Sequence, residues 1–182
     1  MGGRADGIAM ESATMINSTG IGTNAATITI NGIAANGASL SRGIVASVST
    51  EINSVDGDII LNTDTINLNG IIQGTSTLTI QPLTPGVTIG VGGAATGTLE
   101  LSNAELNTIQ DGFVEIIFGR IDGTAAFEIG SYTFNDAVTM RSLTGTMTLV
   151  GSLATSGGEA IHLITDSMDL SLIHISEPTR PY

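Results

Sequence analysis

The chain has no cysteine, no lysine and no tryptophan, and aromatic residues make up only 3% of it. The missing cysteine excludes disulfide staples and thiolate metal sites. Basic residues are also scarce, with Lys and Arg together numbering 5 against 17 Asp and Glu, for a formal net charge of -12. A surface of that sign repels nucleic acid and anionic lipid, so no nucleic-acid partner is expected. The same charge keeps a strand-rich chain soluble. No apolar run approaches the roughly 18 residues that suggest a transmembrane helix, so membrane insertion of this segment is not expected. Met1-Gly2-Gly3-Arg4 is followed by Ala5-Asp6-Gly7, without the apolar core of a secretory signal.

What the chain has instead is Thr (25 residues), Ile (24) and Gly (24). Thr and Ile are β-branched and favour strands, while Gly and Asn favour turns. This composition indicates an all-β protein whose core is aliphatic. With 182 residues it is long enough for one sizeable core.

Part of the sequence occurs twice. Gly7-Ile8-Ala9 returns as Gly43-Ile44-Val45, and Ala13-Thr14-Met15-Ile16-Asn17-Ser18 returns as Ser49-Thr50-Glu51-Ile52-Asn53-Ser54. Thr27-Ile28-Thr29-Ile30-Asn31-Gly32-Ile33 has a counterpart in Thr65-Ile66-Asn67-Leu68-Asn69-Gly70-Ile71. Self-similarity of this kind marks stacked supersecondary units. The spacing is read as two coils of similar length per copy.

Strand-like alternation recurs at Thr27–Ile30, Gly43–Val48, Asp58–Leu61, Thr65–Leu68, Thr77–Ile80, Val87–Ile89 and Thr98–Leu101. It continues at Val114–Phe118, Ala126–Ile129, Ala137–Met140, Thr146–Val150 and Ala160–Ile164. An Asn-Gly pair between such runs often signals a hairpin. Here the copies keep their order and offset, which favours parallel stacking. The expected fold is a right-handed parallel β-helix with about 18–22 residues per coil, eight or so coils and a length of about 40 Å. Ser102 before Asn103–Gln110 reads as the cap of one short helical turn, and Pro82 and Pro85 mark a loop.

The last residues break the pattern. Leu170-Ser171-Leu172-Ile173-His174-Ile175-Ser176-Glu177-Pro178-Thr179-Arg180 resembles one reading frame of a transposase-based sequencing adaptor. Residues 170–182 are therefore read as a non-native tail, and 1–169 as a single β-helix segment of a longer array.

Several phrases resemble the repeat regions of filamentous-haemagglutinin-like adhesins and related giant β-strand-repeat bacterial surface proteins. They are Gly43-Ile44-Val45, Ser54-Val55-Asp56-Gly57-Asp58-Ile59-Ile60-Leu61, Leu78-Thr79-Ile80-Gln81-Pro82-Leu83, and Leu99-Glu100-Leu101-Ser102-Asn103-Ala104-Glu105-Leu106. The resemblance covers about residues 7–165. It implies secretion, a bacterial cell-surface location and a role in adhesion or the outer coat, with an unidentified surface or glycan ligand. It brings no catalytic residues with it.

Candidate chemistry is sparse. Gly90-Val91-Gly92-Gly93-Ala94-Ala95 has the outline of a dinucleotide fingerprint, but that fingerprint needs a following helix, and Thr98-Leu99-Glu100-Leu101 is strand-like. Asp56 and Asp58 are possible oxygen ligands, yet Ca²⁺ needs six or more. Glu159 and His162 fall on opposite faces of a strand. Asp122, Asp136, Arg120 and Arg141 are the residues a polysaccharide lyase or hydrolase would have to use. Phe113, Phe118, Phe127, Phe134 and Tyr132 are the aromatics a carbohydrate-binding module would expose in a row. No catalytic, metal or cofactor residues are assigned, and no cofactor is expected. The favoured reading is a non-enzymatic structural or adhesive rod whose partners include neighbouring coils of the same chain. The alternative is a carbohydrate-active β-helix enzyme.

Overall fold

A computed structural model describes residues 6–35 and 41–170. The strands run in coils of three. The first coil holds β1 (Ile8–Met10), β2 (Met15–Ser18) and β3 (Ile28–Gly32). The second holds β4 (Ile44–Ala46), β5 (Glu51–Ser54) and β6 (Ile59–Thr63), and the third β7 (Ile66–Leu68), β8 (Ile71–Gly74) and β9 (Thr77–Gln81). The fourth is longer, with β10 (Ile89–Val91), β11 (Leu99–Leu101), helix α1 (Asn103–Leu106) and β12 (Glu115–Phe118). Then come β13 (Phe127–Ile129), β14 (Tyr132–Phe134), β15 (Val138–Leu149), β16 (Leu153–Thr155) and β17 (Ile161–Leu170).

Each coil stacks on the last through parallel pairing. One wall runs β3, β6, β9, β12, the first half of β15 and the first half of β17. A second wall is β2, β5 and β8, with β14 and β16 further along the chain. The third wall begins β1, β4, β7 and resumes as β11, β10, β13, the second half of β15 and of β17. The chain is a parallel β-solenoid.

Alternation of side chains explains why these sequences take these walls. In β6, Ile59, Leu61 and Thr63 point inward and are fully buried, while Ile60 and Asn62 face out and are half-buried. Parallel register then stacks like on like. Ile30, Leu61, Ile80, Phe118, Met140 and Leu163 form one continuous column through successive pairings. Ile28, Ile59, Leu78, Ile116, Val138 and Ile161 form the column beside it. Each fully buried Ile or Leu contributes about 1.5–3 kcal/mol of transfer free energy. On the outside a second ladder runs in parallel: Asn62 donates to Asn31 at 2.7 Å and Gln81 donates to Asn62 at 2.8 Å.

The repeat has a different structural meaning from the one its length suggests. Ile8 stacks on Ile44 and Ile16 on Ile52, so the first two copied phrases are direct neighbours, one long coil apart. The third phrase does not stack on its copy. Ile28 pairs with Ile59, and Ile66 pairs with Ile44. Where no insertion intervenes the coil is short, as in Ile59↔Leu78, Ile44↔Ile66 and Phe127↔Met147. Two long coils mean fewer rungs. The β3-to-β17 wall has five steps among the described residues, or about 24 Å rather than 40 Å.

Alternating runs foretold most strands, but Ala137–Met140 and Thr146–Val150 are two halves of β15, which turns a corner between Ser142 and Thr146. The runs did not include β1, β2, β5, β8, β14 or β16, and Val87–Ile89 shares only Ile89 with β10. Residues 171–182 of the adaptor-like tail lie outside the described residues, and Leu170 pairs with Leu149 at the end of β17.

β17 ends the stack. Its inward positions continue the core columns, yet Ile161 is 36% exposed, Met168 41% and Leu170 53%. A ten-residue edge strand with an apolar inner row is a template for further pairing. The chain is expected to self-associate in sedimentation velocity at micromolar concentration, and Met168→Lys with Leu170→Lys to shift it toward monomer. In the interior, Ile80→Ala is expected to cost about 2–5 kcal/mol in urea unfolding. Val48→Ala, at 80% exposure, should stay within about 0.5 kcal/mol of the parent.

Candidate groove at the broken wall

Two walls are interrupted, the second between β8 and β14, where the bridge Ile72↔Ile109 lies, and the third between β7 and β11. Both β11 and β10 lie between β7 and β13, whereas only β12 lies between β9 and β15. That wall therefore has one extra rung to fit, a step of about 4.8 Å. The backtrack that creates it needs glycine: Gly92 has φ +93° and crosses Gly130, where a side chain would come within 3.1 Å of backbone. The ladder breaks at β7 and β11, which approach within 8 Å of each other in Cα positions but form no shared sheet.

The facing edges keep their polarity. Ile44 N–H donates to Thr65 O and Asn69 N–H donates to Ala46 O, so alternate residues of this strand point toward β4. The backbone groups of Ile66 and Leu68 consequently turn toward β11. On β11, Leu99 N–H donates to Thr88 O and Leu101 O accepts from Gly92 N–H. Those of Glu100 therefore turn toward β7.

Glu105 bridges the break. Ser102 caps α1 and Glu105 completes a capping box with it. The Glu105 carboxylate accepts from Ser102 N–H at 2.9 Å and from the Ser102 hydroxyl at 2.8 Å. Its other oxygen accepts from Leu68 N–H at 3.2 Å. A side chain thus accepts the Leu68 N–H hydrogen bond that β11 does not, at one end of the break.

Beside this clip is a groove of about 560 Å³, lined by Arg42, Asn67, Asn69, Thr98, Glu100 and Glu105 among others. Ile66 borders it with its side chain buried in the core, and its walls carry the outward-facing Asn67 and Glu100. Asn69 donates to Asn67 across the strand end. The Thr98 hydroxyl lies 3.3 Å from that of Thr88.

The residues suggested by sequence lie elsewhere and do not converge. Arg120 and Asp122 form a two-point ion pair at 2.7 and 2.8 Å, which holds the Asp122 carboxyl below the usual range. The same guanidinium donates to Pro82 O and Leu83 O, pinning the proline loop. Arg141 donates to Gly119 O at 3.0 Å, and burial lowers its pKa. Asp136 is 7% exposed and accepts from Gly112 N–H at 3.0 Å. Burial, and then Asp111 nearby, raise its pKa. The hollow beside it has a volume of only about 10 Å³.

Asp56 accepts from Gly22 N–H, and Asp58 accepts from the Ser76 hydroxyl and Thr77 N–H, so both brace turns. Among the described residues no group of three or more His, Asp or Glu side chains is placed to hold a metal. His162 faces outward on β17 with Nδ1 3.4 Å from the Thr139 hydroxyl, and Glu159 precedes that strand. The Gly90–Ala95 segment is strand β10 and a turn, followed directly by strand β11 rather than by a helix. Phe113, Phe118, Phe127 and Phe134 are all buried and Tyr132 is half-buried, so they form no exposed row for a carbohydrate-binding module. The groove residues carried no sequence signal beyond the Ser102…Glu105 spacing, because their proximity depends on the out-of-order strand β10.

No family model, curated protein or solved structure matches the chain.

Two predictions follow from these contacts. An amide at position 105 cannot accept hydrogen bonds with both its ends, so Glu105→Gln is expected to lower unfolding free energy by about 1–2 kcal/mol. Chemical denaturation would measure it. Asp136 binds its proton more tightly folded than unfolded, so its contribution to stability is greatest at low pH and declines as pH rises through the folded value. Asp136→Asn retains an acceptor for Gly112 and removes that decline. Thermal melts between about pH 4 and pH 7 should show a smaller loss for the variant than for the parent.

Proposed function

We propose that this segment is a non-catalytic spacer within a large, secreted bacterial surface protein, acting as a stiff rod that holds other regions away from the cell. The observation that carries this reading is the use made of the polar side chains. Asp58, Asp64, Asp122, Glu128 and Asp136 each accept hydrogen bonds from the fold itself, and Arg120 and Arg141 donate to backbone carbonyls. Groups committed to holding turns are poor candidates for proton transfer. The Asn31–Asn62–Gln81 ladder and the apolar columns stiffen the stack along its axis. The surface-exposed, adhesive setting rests on the sequence resemblance to filamentous-haemagglutinin-like repeats.

The second reading, a carbohydrate-active enzyme, has one observation in its favour. Asp136 lies near Asp111 and titrates high, as a general acid would. Against it, the adjoining hollow has room for no sugar ring. Long-read sequencing of the source gene is the test. A reading frame that continues these coils and carries an export signal is expected; a short cytosolic frame would sink the proposal. Reducing-end release from a panel of polysaccharides should stay at the no-protein baseline, and turnover abolished by Asp136→Asn would instead establish the enzyme.

A further inference from the structure

We propose that the groove at the break between β7 and β11 binds a short, uncharged oligosaccharide. This goes beyond a passive rod, and that reading stands or falls separately. The volume of about 560 Å³ lies within the roughly 300–1,000 Å³ of small-ligand sites. The lining sets the chemistry. Most such sites are apolar with a few polar groups, whereas this one is lined by a guanidinium, two carboxylates, two amides and two hydroxyls. A ligand that satisfies such a surface must be polar along its whole length and must both donate and accept.

The alternatives fail on charge or space. Glu100 and Glu105 outnumber Arg42 in the groove, and the chain as a whole carries -12, so a phosphate or uronate polymer is repelled. Two carboxylates, one already held by Ser102 and Leu68, are too few for a divalent cation. An extended peptide inserted as the missing rung would need the two edges about 9.6 Å apart, and they approach within 8 Å.

Sugar hydroxyls fit what is left. The Glu100 carboxylate faces outward on β11 and accepts no hydrogen bond from the described residues. It is an acceptor for a hydroxyl pair. Arg42 supplies donors from its side of the groove, and Asn67 and Asn69 supply both kinds. The Ile66 side chain is buried in the core, so the groove meets a ligand with polar groups. No aromatic lines the groove, so binding rests on hydrogen bonds and is expected to be weak, with Kd about 1 mM.

The test is amide and side-chain NMR on the full chain, titrated with maltotriose, cellotriose, N-acetylchitotriose and trigalacturonate. At least one neutral trisaccharide should shift the signals of Asn67, Asn69, Thr98 and Glu100 and leave those of Asp122 and Asp136 unmoved. Glu100→Ala is exposed and should melt like the parent while weakening that binding about tenfold or more. Arg42→Ala should do the same. Trigalacturonate should bind more weakly than any neutral sugar that binds. The proposal is overturned by no localised shift with any neutral trisaccharide at about 20 Kd of the expected value. It is equally overturned by an unchanged affinity in Glu100→Ala, or by tighter binding of trigalacturonate.

Discussion

Everything in this molecule depends on parallel backbone pairing between one coil and the next. The spacing of about 4.8 Å between rungs dictates which side chains meet. Because pairing is in register, a residue can only stack on its counterpart, and the core becomes a set of columns rather than a jigsaw of unlike shapes. Ile59 meets Leu78 and Leu78 meets Ile116, with each pair fixed by the backbone. Phe118 takes its place in such a column between Ile80 and Met140, with the Phe134 ring 5.8 Å from its own.

The same constraint explains why the fourth coil is costly and where its cost appears. A solenoid keeps its walls equal in length when each coil gives one strand to each. Strand β10 breaks that rule by adding a rung to one wall only. The mismatch cannot be spread over the stack, since each rung is held by hydrogen bonds with a narrow range of lengths. It is concentrated at β7 and β11, where the two ladders part. There the Glu105 carboxylate satisfies donors on both sides, Leu68 N–H on one and Ser102 N–H on the other. A single acceptor group with two oxygens can span a gap that a peptide carbonyl cannot.

Much of the fold was legible because it is local. Alternation in Asp58–Leu61 and Thr77–Ile80 identified strands β6 and β9, and Ser102 marked the cap of α1. The copied phrases aligned β1 with β4 and β2 with β5 residue for residue, but two coils were expected in that interval where the strands are direct neighbours. What sequence could not convey was the order of rungs. Thr27–Ile33 resembles Thr65–Ile71 as closely as the other copies resemble each other, yet the two lie on different walls. Any inward Ile fits any column, so similarity between coils does not say which stacks on which. The groove was illegible for a related reason. Asn67 and Glu100 come from coils that a simple period would separate by an ordinary rung, and only the backtrack through Gly92 opens space between them.

The acidic surface acquires a structural role in this setting. The last described strand, β17, carries Asp166 and Asp169 beside exposed Met168 and Leu170. Apolar rows favour end-to-end addition of another chain, while carboxylates on the same strand oppose it through like-charge repulsion. Screening weakens the repulsion, with a Debye length of about 10 Å at 0.1 M salt and about 3 Å at 1 M, but leaves the apolar attraction intact. The balance at β17 is thus set by ionic strength. The interior columns, buried and uncharged, do not share that dependence. A stack built this way protects its interior columns by geometry and the exposed apolar row of β17 by charge.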